Sequence, residues 1–289
     1  MPNLKEVRIR IQSVSSTQQI TKAMKMVSAA KLKRAQDGVT RLRPYAAKLK
    51  GIMENMSGAG GSIYTRIRGE EKVLLVLITS NRGLCGAFNS NIIRTANRLL
   101  AKEFAKQNRE KNVKVLCIGR KASEFFSKNK NLYEGHHNDI FGNLSYESAA
   151  VLAESIMKDF REEKFDKICI VYNQFKNAAV QIITTEQFLP VIPPSSKEKK
   201  KQSIDYIFEP GQEEIVTELI PRSLKIQLYK ALLDSHASEH GARMTAMNMA
   251  TENAQEMLKQ LRLSYNKARQ AAITKEILEI VSGAEALKG

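Results

Sequence analysis

The sequence predicts an α/β protein. Long N- and C-terminal helices pair as an antiparallel coiled coil, with a Rossmann-like, mainly parallel α/β domain inserted between them. Three observations carry that expectation. In the last third, apolar or small residues recur at Met247, Ala254, Leu258, Leu261, Tyr265, Ala268 and Ala272, at spacings of 3, 4 or 7, which is a coiled-coil seam. In the first 57 residues a 3-4 alternation runs through Leu4, Val7, Ile11 and Val14. It resumes at Leu32, Ala35, Val39, Leu42, Ala46, Leu49, Met53 and Met56. Between these ends the periodicity changes to short apolar runs alternating with amphipathic stretches, as in a doubly wound sheet. The expected domains are residues 1–60, 61–211 and 212–289.

Between the two halves of the first seam, the same register lands on polar Gln18, Thr21, Lys25 and Ser28, while the apolar stripe is Ile20, Met24 and Val27. A stripe displaced by one residue is rotated by about 100° around a helix, so the seam is expected to turn there. Either this is a local stutter or the segment faces a surface besides its helical partner. Pro44 removes a backbone donor inside the helix, and a kink is expected near it. Residues 57–62 (SGAGGS) form a flexible break.

In the middle, Lys72 to Thr79, Val113 to Ile118, Lys167 to Tyr172 and Ala179 to Thr185 read as strands, and Asn89 to Gln107 and Ser145 to Glu163 as helices. Residues 190–202 read as a loop whose lysines make a solvated surface. The stretch from Gln212 to Ala286 reads as one helix whose first turns Pro221 should interrupt. At about 1.5 Å per residue it would be a rod on the order of 110 Å long, too long for one globular core to cover.

Composition narrows the function. The net charge of +16 divides as +9 over residues 1–60, +7 over 61–211 and zero over 212–289, which suggests acidic partners, nucleic acid or a membrane surface. Cys85, Cys117 and Cys169 stand alone in or beside apolar runs and read as buried thiols of a reducing compartment. The chain opens Met1-Pro2-Asn3-Leu4 with no leader pattern, and its longest apolar run, Val73 to Ile78, is too short to span a bilayer.

Two motifs invite chemistry. Residues 80–89 (SNRGLCGAFN) follow a strand and precede a helix, but only Gly83 and Gly86 of a G-x-G-x-x-G pattern are present and no Gly-Lys-Ser/Thr exists. The reading is a tight turn without a ligand. His236-Ala237-Ser238-Glu239-His240 matches H-x-x-E-H, with the histidines on one helical face. Five common residues match by chance often, no third ligand can be chosen, and solvated histidines are expected. His136 and His137 are expected on a surface loop. No catalytic residue, cofactor site or metal site is predicted.

Leu4-Lys5-Glu6-Val7-Arg8, Ile20-Thr21-Lys22-Ala23-Met24-Lys25-Met26-Val27, Arg82-Gly83-Leu84-Cys85-Gly86 and Asp205-Tyr206 resemble the gamma subunit of F-type ATP synthases. The closing runs Tyr265 to Gln270, Ile273 to Ile277 and Ile280 to Ala284 are similar to that family's C-terminal motif, and the resemblance covers the whole chain. It implies a non-catalytic rotor. The terminal helices would turn inside a hexamer of alpha and beta subunits, while the α/β domain binds the epsilon subunit and stands on the membrane ring of c subunits. One copy would serve each complex, bound to no nucleic acid, and touching the membrane only through the c-ring.

The resemblance also implies site residues. Met24, Lys25, Arg243, Arg269, Gln270 and Thr274 match positions that contact the catalytic subunits, and Tyr206, Phe208 and Glu209 match the foot on the c-ring. The turn departs from the family's usual pattern in having Asn81 where Asp is commoner and Ala87-Phe88 where Gly-Leu is commoner, with little effect expected on the fold. No cysteine pair suggests the chloroplast-type redox switch. A bacterial protein, peripheral on the cytoplasmic side of the inner membrane, is expected. The rival readings are a nucleotide-dependent enzyme with a ligand at Gly83 to Gly86, and a basic coiled-coil nucleic-acid binder, which the neutral C-terminal rod weakens.

Overall fold

The computed structural model describes residues 4–56, 63–191 and 212–286. In order they form α1 (Leu4–Met56), β1 (Val73–Ile78), α2 (Phe88–Ala101), α3 (Ala105–Arg109), β2 (Val113–Ile118), α4 (Arg120–Phe126), β3 (Tyr133–His136), α5 (Tyr146–Arg161), β4 (Lys167–Phe175), β5 (Gln181–Leu189) and α6 (Gln212–Ala286). The chain divides into two compact units: Met1–Ser28 with Met244–Gly289, and Ala29–Arg243. Both long helices therefore contribute to the α/β unit as well as to the coiled coil.

The α/β unit is built on one sheet of order β3-β2-β1-β4-β5. β1, β2, β3 and β4 run parallel, and β5 is antiparallel to β4. The run Val73 to Ile78 is apolar throughout because both faces of its strand are covered. Leu74, Val76 and Ile78 join one core with Leu152, Ile156 and Phe160 of α5 and Ile220, Leu224, Leu228 and Leu232 of α6. Val73, Leu75 and Leu77 join a second core with Ile92, Ala96 and Leu99 of α2 and Ala122 and Phe126 of α4.

Two sequence expectations shift here, and two short elements were not read. The helix expected to Gln107 breaks after Ala101 and restarts as α3, and α4 and β3 lie where no element was read. Pro221 does not interrupt α6, which is helical on both sides of it. Its neighbours Ile220 and Leu224 are each 1% exposed. At about 1.5–3 kcal/mol for each buried aliphatic side chain, they match or exceed a proline penalty of about 3 kcal/mol. Pro44 lies inside α1, the helix in which it was expected.

In the other unit, residue pairs Thr21–Thr251 and Lys25–Asn248 show that the α1 and α6 segments run antiparallel, since one number falls as the other rises. Val7 of α1 and Met247, Ala254 and Leu258 of α6 are buried in the seam. Continued upward, that register sets the start of α1 beside residues near 268 of α6. Past that level α6 has no helical partner among the described residues, and every side chain from Ala272 to Ala286 is exposed. Ala272, expected in the seam, is therefore outside it.

Candidate functional site

From Gln18 to Ser28 the coiled coil is polar inside and apolar outside. The seam does not turn, contrary to the sequence expectation. Thr21 and Ser28 are buried and Gln18 and Lys25 half-buried, so the register of Val7 and Val14 continues straight through polar residues. The polarity is tolerated because α6 supplies partners. Thr21 Oγ1 lies 2.9 Å from Thr251 Oγ1, and Lys25 Nζ donates to Asn248 Oδ1 at 2.6 Å. Asn248 Nδ2 in turn donates to Glu252 Oε1 at 2.8 Å. The displaced apolar side chains point out: Ile20 is 60% exposed, Val27 56% and Met26 60%, with Met24 half-buried beside them. On the facing helix Met249 and Met257 are also exposed. A run of apolar side chains held in water along a rigid helix marks an interaction surface.

The bare end of α6 repeats the theme. Ile273, Ile277, Leu278, Ile280 and Val281 are all exposed. Arg269, Gln270 and Thr274 lie at its base with exposed side chains, and Thr274 Oγ1 donates to the Gln270 carbonyl at 2.9 Å.

Arg243, expected among the contacts to the catalytic subunits, differs from these in that its hydrogen bonds lie within the chain. Its side chain is 9% exposed and Nη1 meets Glu239 Oε1 at 2.7 Å. Nη2 donates to the carbonyl oxygens of Arg82 at 3.0 Å and Gly83 at 3.2 Å. Those carbonyls belong to the turn after β1. The sheet's strand order reverses between β1 and β4, and open α/β sheets bind ligands in the crevice beyond the carboxyl ends of such strands. Here α6 fills it. Ser238 Oγ donates to the Asn173 carbonyl at the end of β4, at 3.0 Å. A Cβ on Gly241 would lie 3.2 Å from both Cα and O of Ala178 in the β4–β5 turn, so a side chain there would have to push the turn back by a few tenths of an ångström. At the neighbouring β1–β2 ends, Gly119 (φ 101°) sits where a Cβ would come within 2.1 Å of the Thr79 carbonyl, closing the crest there too.

The H-x-x-E-H histidines are not solvated; this expectation is corrected. His240 is 6% exposed and His236 is half-buried, with their Nε2 atoms 3.1 Å apart. Phe141 stacks on His236 with centroids 6.0 Å apart. Burial lowers both pKa values, to about 4 for His236 and about 3 for His240, reinforced for His236 by the charges of Lys31 and Arg243. The donor set argues against zinc. A ligating imidazole passes its second N–H to a partner, and His240 Nδ1 is buried with none. Glu239 is taken by Arg243, and no group of three or more metal-binding side chains occurs among the described residues. One neutral histidine therefore donates to the other.

The remaining expectations place simply. Cys85, Cys117 and Cys169 are free and buried as read, and burial pushes Cys117 to about 12 and Cys169 to about 11. His136 and His137 are exposed, the former closing β3 and hydrogen-bonded to Tyr133 Oη. Tyr206, Phe208 and Glu209 lie outside the described residues. An open groove of about 580 Å³ over α5 and α6, lined by Val151, Lys158, Arg161 and Lys225 among others, lies away from the crevice and holds no catalytic constellation. No helix among the described residues is long and apolar enough to cross a membrane. Sequence reasoning did not single out Thr21, Asn248 and Thr251 as seam partners, or Asn173, Ser238 and Gly241 as crevice contacts. For the first group the signal was present in the register carried across the gap.

A family model described as ATP synthase matches residues 3–287. The chain is 58% identical to the ATP synthase gamma chain of Flavobacterium johnsoniae, with all of both chains covered. It is 53% identical to that of Cytophaga hutchinsonii, with 99% of each covered. Among solved structures, a chain of the central stalk and c-ring of Tetrahymena thermophila mitochondrial ATP synthase matches at TM-score 0.60 and 27% identity, covering 80% of this chain and 99% of that one. A chain of the Euglena gracilis mitochondrial ATP synthase assembly of OSCP, F1 and c-ring shares the fold at TM-score 0.72 and 23% identity, covering 98% of this chain and 94% of that one. With its full length matched and its paired terminal helices in place, the chain belongs to the gamma-chain family of ATP synthases.

Proposed function

We propose that the chain is the central-stalk rotor of an F-type ATP synthase, coupling proton-driven rotation of the c-ring to ATP synthesis or hydrolysis at the beta subunits, and that it is not itself catalytic. The observation that carries the reading is the inverted segment. A coiled coil gains most by burying its apolar residues between its own helices. This one holds Thr21, Lys25 and Ser28 inside while Ile20, Met26 and Val27 stay outside, an arrangement that is stabilising only if another surface covers them.

That surface is the inner wall of the alpha and beta hexamer. Met24, Ile20 and Val27 provide an apolar sliding face there, and Arg269, Gln270 and Thr274 provide polar contacts at the base of the bare helix end. Lys25 contributes through the bond that fixes Asn248. Arg243, enclosed by its own chain, contributes from within the α/β unit. The α/β unit binds epsilon, and Tyr206, Phe208 and Glu209 form the foot on the c-ring. The subunit is peripheral to the bacterial inner membrane on its cytoplasmic side, attached through that ring, and needs no nucleotide, metal or other cofactor of its own.

The test is purification of the tagged chain from membranes. The expected result is co-purification with alpha, beta, epsilon and c subunits at about one copy per three beta, the asymmetry that a single rotor in a ring requires. Recovery of the chain alone, or in equal numbers with beta, would overturn the proposal.

A further inference from the structure

We propose that the edge of the α/β unit carrying Lys102, Lys106, Arg109, Lys111, Lys128 and Lys130 is a contact surface for anionic lipid headgroups, which draws the chain onto the membrane that holds the c-ring. The inference rests on the rotor reading for the direction in which this edge points. It adds a direct lipid contact to the attachment through the ring.

The α/β unit is charged unevenly along its chain. Residues 80–132, which supply α2, α3, β2 and α4, hold twelve Lys/Arg against three Asp/Glu, net +9. Residues 133–191, which supply β3, α5, β4 and β5, hold five against nine, net −4. Within the positive stretch Lys121 pairs with Glu124 at 2.6 Å. Six other cations gather where the parallel strands begin. Lys102, Lys106 and Arg109 lie on and beside α3, and Lys111 in the turn to β2, where Asn112 N donates to the Gln107 carbonyl at 2.8 Å. Lys128 and Lys130 lie in the neighbouring turn, joined to β2 where Val115 N donates to the Leu132 carbonyl at 2.6 Å. All six residues are exposed, and none has an ion pair or a side-chain hydrogen bond among the described residues. Glu103 and Glu110 are the acidic residues among them, which leaves a local net charge of +4.

This end of the sheet is also the one at which α6 starts. Pro221 lines the same groove as Arg161, the last residue of α5, whereas Ser238 reaches the far end of β4. In the rotor reading the foot immediately precedes α6, so the end that carries these cations is turned toward the ring and the bilayer. Unpaired like charges repel one another, and an anionic surface opposite relieves the repulsion. A cluster of about four to eight Lys/Arg beside a membrane attracts acidic headgroups, by about fivefold in partitioning for each cation within a Debye length. Five of the six are lysines, point charges on flexible stems, which suit a fluid layer of phosphates better than a fixed bidentate partner. Phe125, 46% exposed, is the exposed ring of residues 80–132. A nucleic-acid strand calls for successive aromatic platforms, whereas one apolar side chain among lysines can enter a headgroup layer. The same surface would repel the negative α5 and β5 stretch, so the charge division also sets which side of the unit turns to the lipid.

The experiment sediments the full chain with vesicles of phosphatidylcholine alone or with about 30% phosphatidylglycerol, at salt from about 50 to about 300 mM. Wild type is expected to bind the phosphatidylglycerol vesicles at low salt, to leave them as salt rises, and not to bind the neutral ones. Combined Lys102→Gln, Lys106→Gln, Arg109→Gln and Lys111→Gln should lower partitioning by at least about tenfold, and Lys128→Gln with Lys130→Gln by about fivefold. The control removes the same four charges from exposed positions of α1, as Lys33→Gln, Arg34→Gln, Arg41→Gln and Lys48→Gln. It should lower partitioning by less than about threefold. Equal losses in the two quadruple variants would show attraction by net charge alone and overturn the edge as a site, as would equal binding to neutral vesicles. Tighter binding of polyglutamate than of vesicles through the same four residues would overturn the lipid assignment in favour of an acidic protein. These readouts use the free chain and stand apart from the co-purification that tests the rotor reading. A chain that joins the other subunits but shows no edge-dependent lipid binding would overturn this inference alone.

Discussion

One helix, α6, shows two opposite uses of the same residue types. Over Ile220 to Leu232 its apolar side chains are buried on the sheet, and over Asp234 to Arg243 even its charged groups are enclosed and matched within the chain. From Met249 onward its apolar residues divide. Ala254 and Leu258 face α1, while Met249, Met257, Leu263, Ile273 and Ile277 face outward. Hydrophobicity therefore does not by itself say what a helix is packed against. What separates the two stretches is whether the chain supplies enough surface to cover the helix on every side, and only the sheet and its flanking helices do so.

The largest expected effect tests that division directly. Leu228 is fully buried between sheet and helix, and Leu228→Ala should destabilise the chain by about 2–5 kcal/mol through lost burial and a cavity. Ile277, 54% exposed, should change stability by no more than about 0.5 kcal/mol on conversion to Ala, yet weaken assembly with the hexamer. Equal losses in thermal unfolding of the free chain would mean that the end of α6 is covered by its own chain.

Next in size is a charge placed on the outward face. Met24→Lys would put an ammonium into a close, water-poor contact, where an unpaired charge costs several kcal/mol. ATP hydrolysis should persist while proton pumping in vesicles falls. Full coupling would remove Met24 from the bearing surface.

Much of this was legible in the residues. The two seams, the parallel strands β1, β2 and β4 and helix α5 follow from periodicity alone. The seam between Gln18 and Ser28 was misread because apolarity was followed instead of register. A helix pair keeps its register when the facing helix offers polar partners, and Asn248 and Thr251 are about 230 residues away in sequence. His236 and His240 were misread because a charged-looking stretch was taken as exposed. Its charges prove to be internal pairs, and the sheet beneath them cannot be seen from one helix's pattern. Short β3 and α4 were missed because four and seven residues carry too little periodicity to register.

The buried histidines give the enclosed stretch a pH signature that the outer one lacks. Folding lowers their pKa values from 6.5 to about 4 and about 3. The unfolded chain thus binds more protons between those values, and stability falls as pH drops from about 6.5 toward 4. Burial raises Asp234 and Glu239, and their contribution has the opposite slope, so wild type must be read against a variant that keeps them. His236→Phe preserves the stack on Phe141 and should lose about 2–3 kcal/mol less than wild type across that window, at 1.36 kcal/mol per pKa unit. Parallel pH profiles would place His236 in water.

The smallest effect sits in the polar seam. Thr21 and Thr251 have their hydroxyls 2.9 Å apart, and removing one leaves the other, buried in Thr21 and half-buried in Thr251, with only its own-helix carbonyl, at about 1 kcal/mol. Removing both as Thr21→Val with Thr251→Val should recover most of that loss, giving a coupling energy of about 0.5–1.5 kcal/mol in a double-mutant cycle. The sign matters more than the size. If each valine alone stabilises the chain, the seam there is loosely packed and the hydroxyls were solvated. If only the pair is tolerated, the polar layer sets which residues of α1 and α6 face each other, and that register keeps Ile20 and Val27 turned outward.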